Sequence, residues 1–214
     1  ARRATNALFV DALTRAARAR HLHLLLDYDG TLVPIAPTPA QADPDDELLA
    51  LLELLAAVPE TTVHVVSGRP AATLDAWFGR LPVTLHAEHA AHEKRPDAPW
   101  RFADPPPWLA SATSLLAALA DQIPGTFVET KRASVALHTR SLLAAERERV
   151  ERRALQALEA SSFGATVSIL RSDCVVEARE RHVDQGRVAR ALAIADGDVV
   201  LAIGDDARDD ALFQ

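Results

Sequence analysis

Three short strings put carboxylates and hydroxyls at the ends of apolar runs. They are Leu24-Leu25-Leu26-Asp27-Tyr28-Asp29-Gly30-Thr31, Val65-Val66-Ser67-Gly68-Arg69 and Ala202-Ile203-Gly204-Asp205-Asp206. Asp209 follows closely. Carboxylates crowded into one crevice repel one another unless a hard divalent cation neutralises them. Mg²⁺ takes oxygen ligands and keeps several waters, which suits such a cluster. A carboxylate held there can attack phosphorus and form an aspartyl-phosphate. A second Asp two residues on can protonate the leaving alcohol and later deprotonate the hydrolytic water. Each string also has a plain reading: Asp-Gly is a common turn, and Ser-Gly-Arg or Gly-Asp-Asp can simply end a strand. The chemical reading rests on the order of all three, each closing a strand of the same kind of unit.

Those strands read as buried and parallel. The runs at 21–26, 63–66, 83–87 and 199–203 are short, apolar and closed by turn residues. Helices at 45–57, 71–79 and 184–195 alternate with them, which is the βαβ pattern. Ligands of an open parallel sheet sit beyond the carboxyl ends of its strands, where the three strings would meet. A helix is expected over 6–20. Residues 92–107 are polar and rich in Pro and mark a boundary. Beyond them the pattern gives a helix over 108–122, strands at 126–130 and 133–138, and a helix over 144–160. Strands follow at 166–170 and 173–178, turning at Ser172-Asp173. The expected fold class is α/β, a doubly wound parallel-sheet core with an inserted α+β cap. The core covers 1–88 and 181–214, with 1–20 as an N-terminal helix or linker, and the cap covers 89–180.

Composition excludes several classes of function. The 214 residues are 49% hydrophobic and 25% charged, an ordinary globular balance. The net charge of −7 without a basic stripe argues against nucleic acid or an anionic membrane as partner. No apolar run approaches the ~18–20 residues of a membrane helix. Cys174 is the only cysteine, so no intramolecular disulfide forms, and a cytoplasmic location is expected. The chain starts at Ala1, has no Met, and stops about one helical turn beyond Asp209. It therefore reads as a fragment cut at both ends.

The first and last strings resemble motifs of the haloacid dehalogenase superfamily of phosphatases. Longer stretches resemble its trehalose-6-phosphate phosphatase family: 24–35 (LLLDYDGTLVPI), 65–69 (VVSGR), 87–91 (AEHAA), 127–140 (FVETKRASVALHTR), 176–179 (VEAR), 183–186 (VDQG) and 204–213 (GDDARDDALF). The resemblance runs in order from about residue 22 to the end. It implies a haloacid dehalogenase-like core and Mg²⁺-dependent hydrolysis of trehalose 6-phosphate to trehalose and phosphate. Asp27 would be nucleophile and metal ligand. Asp29 would be general acid/base, with its main-chain carbonyl on the metal, and Asp205 would complete the metal set, supported by Asp206 and Asp209. Thr31, Ser67 and Gln185 would hold phosphate. His89, Glu129, Lys131, His138, Arg140 and Glu177 would bind the sugar, with His89 at a hinge and His138 and Arg140 sharing one strand face. The N-terminal helix resembles the tail that joins synthase to phosphatase in bifunctional trehalose enzymes, so a fused or associated trehalose-6-phosphate synthase is an implied partner.

The sequence departs from the family pattern at four places. Gln185 stands where a lysine is usual, Ala90 where a Gly is usual, Arg208 where a Thr is usual and Ala211 where an acid is usual. Gln can donate a hydrogen bond but brings no charge. Arg208 and Arg187 are the candidates to restore it. The departures leave two alternatives open. One is a degenerate domain that binds a sugar phosphate or partner synthase without turnover, and the other is a phosphatase for another sugar phosphate.

Overall fold

A computed structural model of the chain describes residues 6–36, 41–172, 174–181 and 183–205. The apolar runs become neighbouring strands: β1 (Leu22–Asp27), β2 (Thr61–Val66), β3 (Thr84–Ala87) and β9 (Val199–Ile203). β1 pairs in parallel with β2 on one side and β9 on the other, and β2 pairs in parallel with β3. A short strand, β4 (His92–Lys94), adds to β3 antiparallel, giving the order β4-β3-β2-β1-β9. The chain winds outward from β1 through β3 and returns to the far side of β1 as β9. The reversal of strand order falls between β1 and β9, where open α/β sheets bind ligands.

Alternation along the strands builds two layers. Leu24, Leu26, Val63, Val65 and Leu85 face a core shared with α2 (Asp46–Ala56) and α3 (Ala71–Phe78), which bury Leu52, Leu74 and Phe78. Each such burial contributes about 1.5–3 kcal/mol. Asp45 starts α2 by accepting the Leu48 amide at 2.8 Å, with Asp46 and Glu47 at the positive end of the helix. Leu25 and Val66 point the other way, onto Val188 of α6 (Gly186–Ala191). α1 (Asn6–Ala17) precedes β1. Helices on both faces make the sheet doubly wound, as the sequence predicted.

The second face also carries a row of imidazoles. His23 Nδ1 lies 3.4 Å from His64 Nε2, and His64 Nδ1 lies 3.0 Å from His86 Nε2. Each contact needs one protonated and one bare nitrogen, so the row fits neutral rings. Burial pushes His64 down to about 3, helped by His86 and His23, and pushes His86 down to about 4. Glu93, paired with His86 on β4, opposes the shift at His64, and Arg95 reinforces it.

The inserted segment forms an antiparallel sheet in the order β5-β6-β8-β7, from β5 (Phe127–Thr130), β6 (Ser134–His138), β7 (Val167–Ser172) and β8 (Val175–Glu180). Helices α4 (Leu109–Ala120) and α5 (Ala144–Glu159) cover one face through Leu116, Leu119, Ala154 and Leu158 against Val135, Leu137, Val176 and Ala178. The chain divides into two compact units, Ala1–Phe102 with Asp184–Gln214, and Ala103–Val183. Residues 89–102, expected in the cap, therefore lie in the first unit. The physical reason is β4, three residues too short and polar to carry a strand signal, which is held by its ladder to β3 and by reciprocal amide–carbonyl bonds between Glu93 and Arg101. Helix α6 is also shorter than the expected 184–195.

Candidate active site

Asp27 is the last residue of β1 and is 6% exposed. The chain then turns sharply: the amide of Gly30 donates to the carbonyl of Val33, and the amides of Leu32 and Val33 donate to that of Tyr28. Gly30 has φ +98°, a conformation that favours glycine. A Cβ there would stand 2.2 Å from an Asp205 carboxylate oxygen. The missing side chain is therefore what lets the turn after β9 close against the turn after β1.

The turn after β2 closes from the other side. Arg69 grips Asp29 with a forked ion pair, Nη2 to Oδ1 at 2.6 Å and Nε to Oδ2 at 2.9 Å. Ser67 is buried, and its Oγ accepts the Arg69 amide at 3.1 Å. Gln185, immediately before α6 and 4% exposed, donates from Nε2 to Asp27 Oδ1 at 3.1 Å. Thr31 Oγ1 and Gln185 Oε1 are buried without a hydrogen-bond partner among the described residues. An oxyanion would satisfy the Thr31 hydroxyl.

His89 was expected with the cap. It lies in the first unit, its ring against Gly68, where a Cβ would come 2.6 Å from Cε1. Its amide donates to the Ser67 carbonyl at 3.0 Å, and that of Glu88 donates to the Arg69 carbonyl at 3.1 Å. This turn is strained: Glu88, His89 and Ala90 hold φ of 49°, 57° and 69°. Three non-glycine residues in the left-handed region cost about 1 kcal/mol or more each. Buried Glu88 and His92, 3.5 Å apart, brace it.

The expected metal set is brought together only in part. Among the described residues, no group of three or more His, Cys, Asp or Glu side chains could hold a metal ion. The Asp29 carboxylate turns to Arg69, which leaves its main-chain carbonyl as the group the resemblance assigned to the metal. Asp206, Arg208, Asp209 and Ala211 lie outside the described residues. Arg187 is exposed on α6. A guanidinium does sit on Asp29, that of Arg69, which sequence reasoning passed over because Ser-Gly-Arg reads as an ordinary strand end.

In the second unit, the sheet face away from the helices gathers the expected sugar-binding residues. Glu129 Oε2 lies 2.9 Å from His138 Nε2. That bond, outweighing burial, draws the Glu129 carboxyl below its usual range, with Lys131 adding to the effect. Glu177 is buried and accepts from Lys131 Nζ at 3.2 Å and Ser134 Oγ at 2.7 Å. Three members escaped the sequence reading. Ser134 donates to Glu177. Exposed Phe127 stacks on the His138 ring at 4.3 Å between centroids. Buried Arg179 opposes Ser134 in the ladder. Cross-strand register would have exposed all three, but it is not readable from one strand at a time. The strand face expected to join His138 and Arg140 is a correction: β6 ends at His138, and Arg140 lies exposed in the turn that follows.

A parallel sheet whose acidic turns converge at its switch point, with a second unit inserted after β4, is the haloacid dehalogenase-like hydrolase architecture. A hydrolase of that description from Bacteroides thetaiotaomicron shares the fold at a TM-score of 0.63 and 14% identity, over 88% of this chain and 83% of that one. The trehalose-phosphatase family matches residues 25–214, and the chain belongs to that family. It is 42% identical over 201 residues to a bifunctional trehalose-6-phosphate synthase/phosphatase of Thermoproteus tenax, covering 92% of this chain and 28% of that protein. The C-terminal domain of the Candida albicans trehalose-6-phosphate phosphatase superposes with a TM-score of 0.85 at 25% identity, over 95% of this chain and 76% of that one. A trehalose-phosphatase of Saccharomyces cerevisiae is 26% identical over 92% of this chain and 25% of its own length. The chain thus spans about a quarter of the curated relatives it matches. No helix among the described residues is long and apolar enough to cross a membrane.

Proposed function

We propose that the chain is an Mg²⁺-dependent phosphatase that hydrolyses trehalose 6-phosphate to trehalose and phosphate. The observation that carries this reading is the meeting of three segments on one turn: Gln185 on Asp27, Arg69 on Asp29, and the Asp205 carboxylate against Gly30. Asp27 attacks phosphorus as the bond to the sugar oxygen breaks, and Asp29, released from the Arg69 fork and protonated, gives its proton to that oxygen. Water then attacks the aspartyl-phosphate, gives a proton to Asp29 and releases phosphate with Asp27 restored. Thr31, Ser67 and Gln185 donate hydrogen bonds to phosphate oxygens.

The donor set suits a hard cation: the Asp27 and Asp205 carboxylates and the Asp29 carbonyl are all oxygens, on a turn shaped by glycine for close approach. Mg²⁺ bound there would neutralise the phosphate charge and hold its oxygens for in-line attack. Glu129, Lys131, His138, Glu177 and Arg140 read the sugar hydroxyls, and His89 sets the edge of the phosphate site. The match to a bifunctional relative supports a trehalose-6-phosphate synthase, fused or associated, as partner.

One observation favours a second reading, a domain that binds a sugar phosphate or the synthase without turnover: a neutral amide, Gln185, sits on Asp27. Phosphate release from a panel of sugar phosphates, with and without Mg²⁺, separates the two. The first reading predicts Mg²⁺-dependent release with trehalose 6-phosphate preferred, and a preference that Lys131→Ala erases while a small phosphate ester is still cleaved. Binding of the sugar phosphate without release would establish the second.

A further inference from the structure

We infer that Phe127 is a platform for the face of a hexose ring, and that it makes the second unit select a sugar ester over other phosphate esters. The inference rests on the reading of the chain as a sugar-phosphate phosphatase and deepens it. The open face of the second sheet is ordered in rows across its strands. Phe127 lies opposite His138, and His138 opposite Val175. Two residues along, Glu129 lies opposite Ala136, and Ala136 opposite Glu177. Beyond them Ser134 lies opposite Arg179, and the Lys131 amide donates to the Ser134 carbonyl at 2.9 Å. The face therefore passes from aromatic rings to carboxylates to cations, with successive rows about 7 Å apart. A hexose ring has matching parts, C–H bonds on its faces and hydroxyls around its rim. The carboxylates and cations suit the rim, and a flat apolar group beside them suits the face.

Phe127 is held as such a group. Its ring lies on that of His138, 4.3 Å between centroids and 5° from parallel. His138 is fixed in turn by Glu129, whose Oε2 lies 2.9 Å from Nε2. The plane of the platform is thus set by a carboxylate assigned to the sugar hydroxyls. Val128, the next residue, points to the helices and packs on the core with Val135 and Leu137. Phe127 points away from that core and is 59% exposed. A single exposed aromatic is ordinary on an edge strand, where it pairs across the ladder. Place separates Phe127 from that plain case: His138 covers one side of the ring, and the exposed remainder borders Glu129 and its row. The face of a benzene ring is electron-rich, and sugar C–H bonds carry their positive end outward, so the two attract when the ring is flat. A leucine offers apolar surface but no such face.

The test compares wild type, Phe127→Leu and Phe127→Trp on trehalose 6-phosphate and on acetyl phosphate, which has neither a ring nor hydroxyls, each with Mg²⁺. Calorimetry measures trehalose 6-phosphate binding with Asp27→Asn added to each chain, so that one readout needs no turnover. Phe127→Leu should raise KM and Kd for trehalose 6-phosphate by about five-fold or more, with kcat and the rate on acetyl phosphate within about two-fold. Phe127→Trp should stay within about two-fold of the wild type throughout. Unchanged KM and Kd in Phe127→Leu would overturn the inference and leave Phe127 as a cross-strand partner of His138. Equal losses on both esters, or a Phe127→Trp chain as weak as Phe127→Leu, would overturn it as well. Binding of trehalose 6-phosphate without hydrolysis by the wild type, with Kd still raised by Phe127→Leu, would overturn the phosphatase reading and uphold the platform. A wild type that does not bind trehalose 6-phosphate would overturn both.

Discussion

Replacing Gly30 by Ala acts on the backbone and on the metal site at once, and the structure separates the two effects. The added Cβ would stand 2.2, 2.4 and 2.5 Å from Oδ2, Cγ and Oδ1 of Asp205. To reach ordinary contact the carboxylate must retreat by about 1 Å, whereas metal–oxygen distances tolerate only about 0.2 Å. The φ of +98° adds about 1–2 kcal/mol of strain for an alanine. In a chain of this size that lowers Tm by roughly 2–8 °C. Gly125→Ala provides the control. It has φ +90° in the second unit, and a Cβ there meets nothing nearer than Leu142 at 3.4 Å. Both variants should lose similar stability in a thermal melt, but only Gly30→Ala should weaken Mg²⁺ binding, by about ten-fold or more in calorimetric titration. A folded Gly30→Ala protein that binds Mg²⁺ as the wild type does would refute the assignment of Asp205 to the metal.

Three further outcomes follow from the same geometry. Gln185→Lys places an ammonium beside Asp27 in place of the amide now 3.1 Å away, and should raise Mg²⁺-dependent turnover by about ten-fold or more; an unchanged or lower rate would show that the site lacks no charge. Ala90→Gly relieves a φ of 69° and should raise stability by about 0.5–1 kcal/mol in urea titration, and a loss would contradict the strain assigned to that turn. His64 and His86 stay neutral when folded down to about 3 and 4, whereas unfolded imidazoles take up protons near 6.5. Their contribution is therefore complete above that value and is lost as pH falls towards 4, at roughly 1.4 kcal/mol per pH unit for each ring. Urea unfolding at stepped pH should show this slope, and His64→Val should flatten it.

The parallel core was legible because buried strands are short apolar runs closed by turns, and β1, β2, β3 and β9 all have that form. The strand-end strings named Asp27, Asp29, Ser67 and Asp205 for the same reason: a switch-point site must be built from the turns that close those strands. β4 was not legible, since His92, Glu93 and Lys94 carry no apolar alternation and become a strand only by pairing with β3. Arg69 was hidden because its partners lie on other elements, Tyr28 and Asp29 on the turn after β1 and Trp77 on α3. Phe127, Ser134 and Arg179 join the cluster of the second unit through antiparallel register, which depends on loop geometry. The face shared by His138 and Arg140 fails in the opposite way, since β6 ends at His138 and strand period was extended one residue pair too far. Except at β4, local pattern located the element, and contact between distant elements decided the role.

The central claim is that Asp27 is the nucleophile of an Mg²⁺-dependent phosphatase. The most direct test measures phosphate release from trehalose 6-phosphate by the wild-type chain and by Asp27→Asn, each in saturating Mg²⁺, with circular dichroism showing both folded. An amide cannot attack as the carboxylate does. The account predicts equimolar trehalose and phosphate from the wild type and a loss exceeding ~10³-fold in the variant. Turnover near the wild-type rate by a folded Asp27→Asn protein would contradict it.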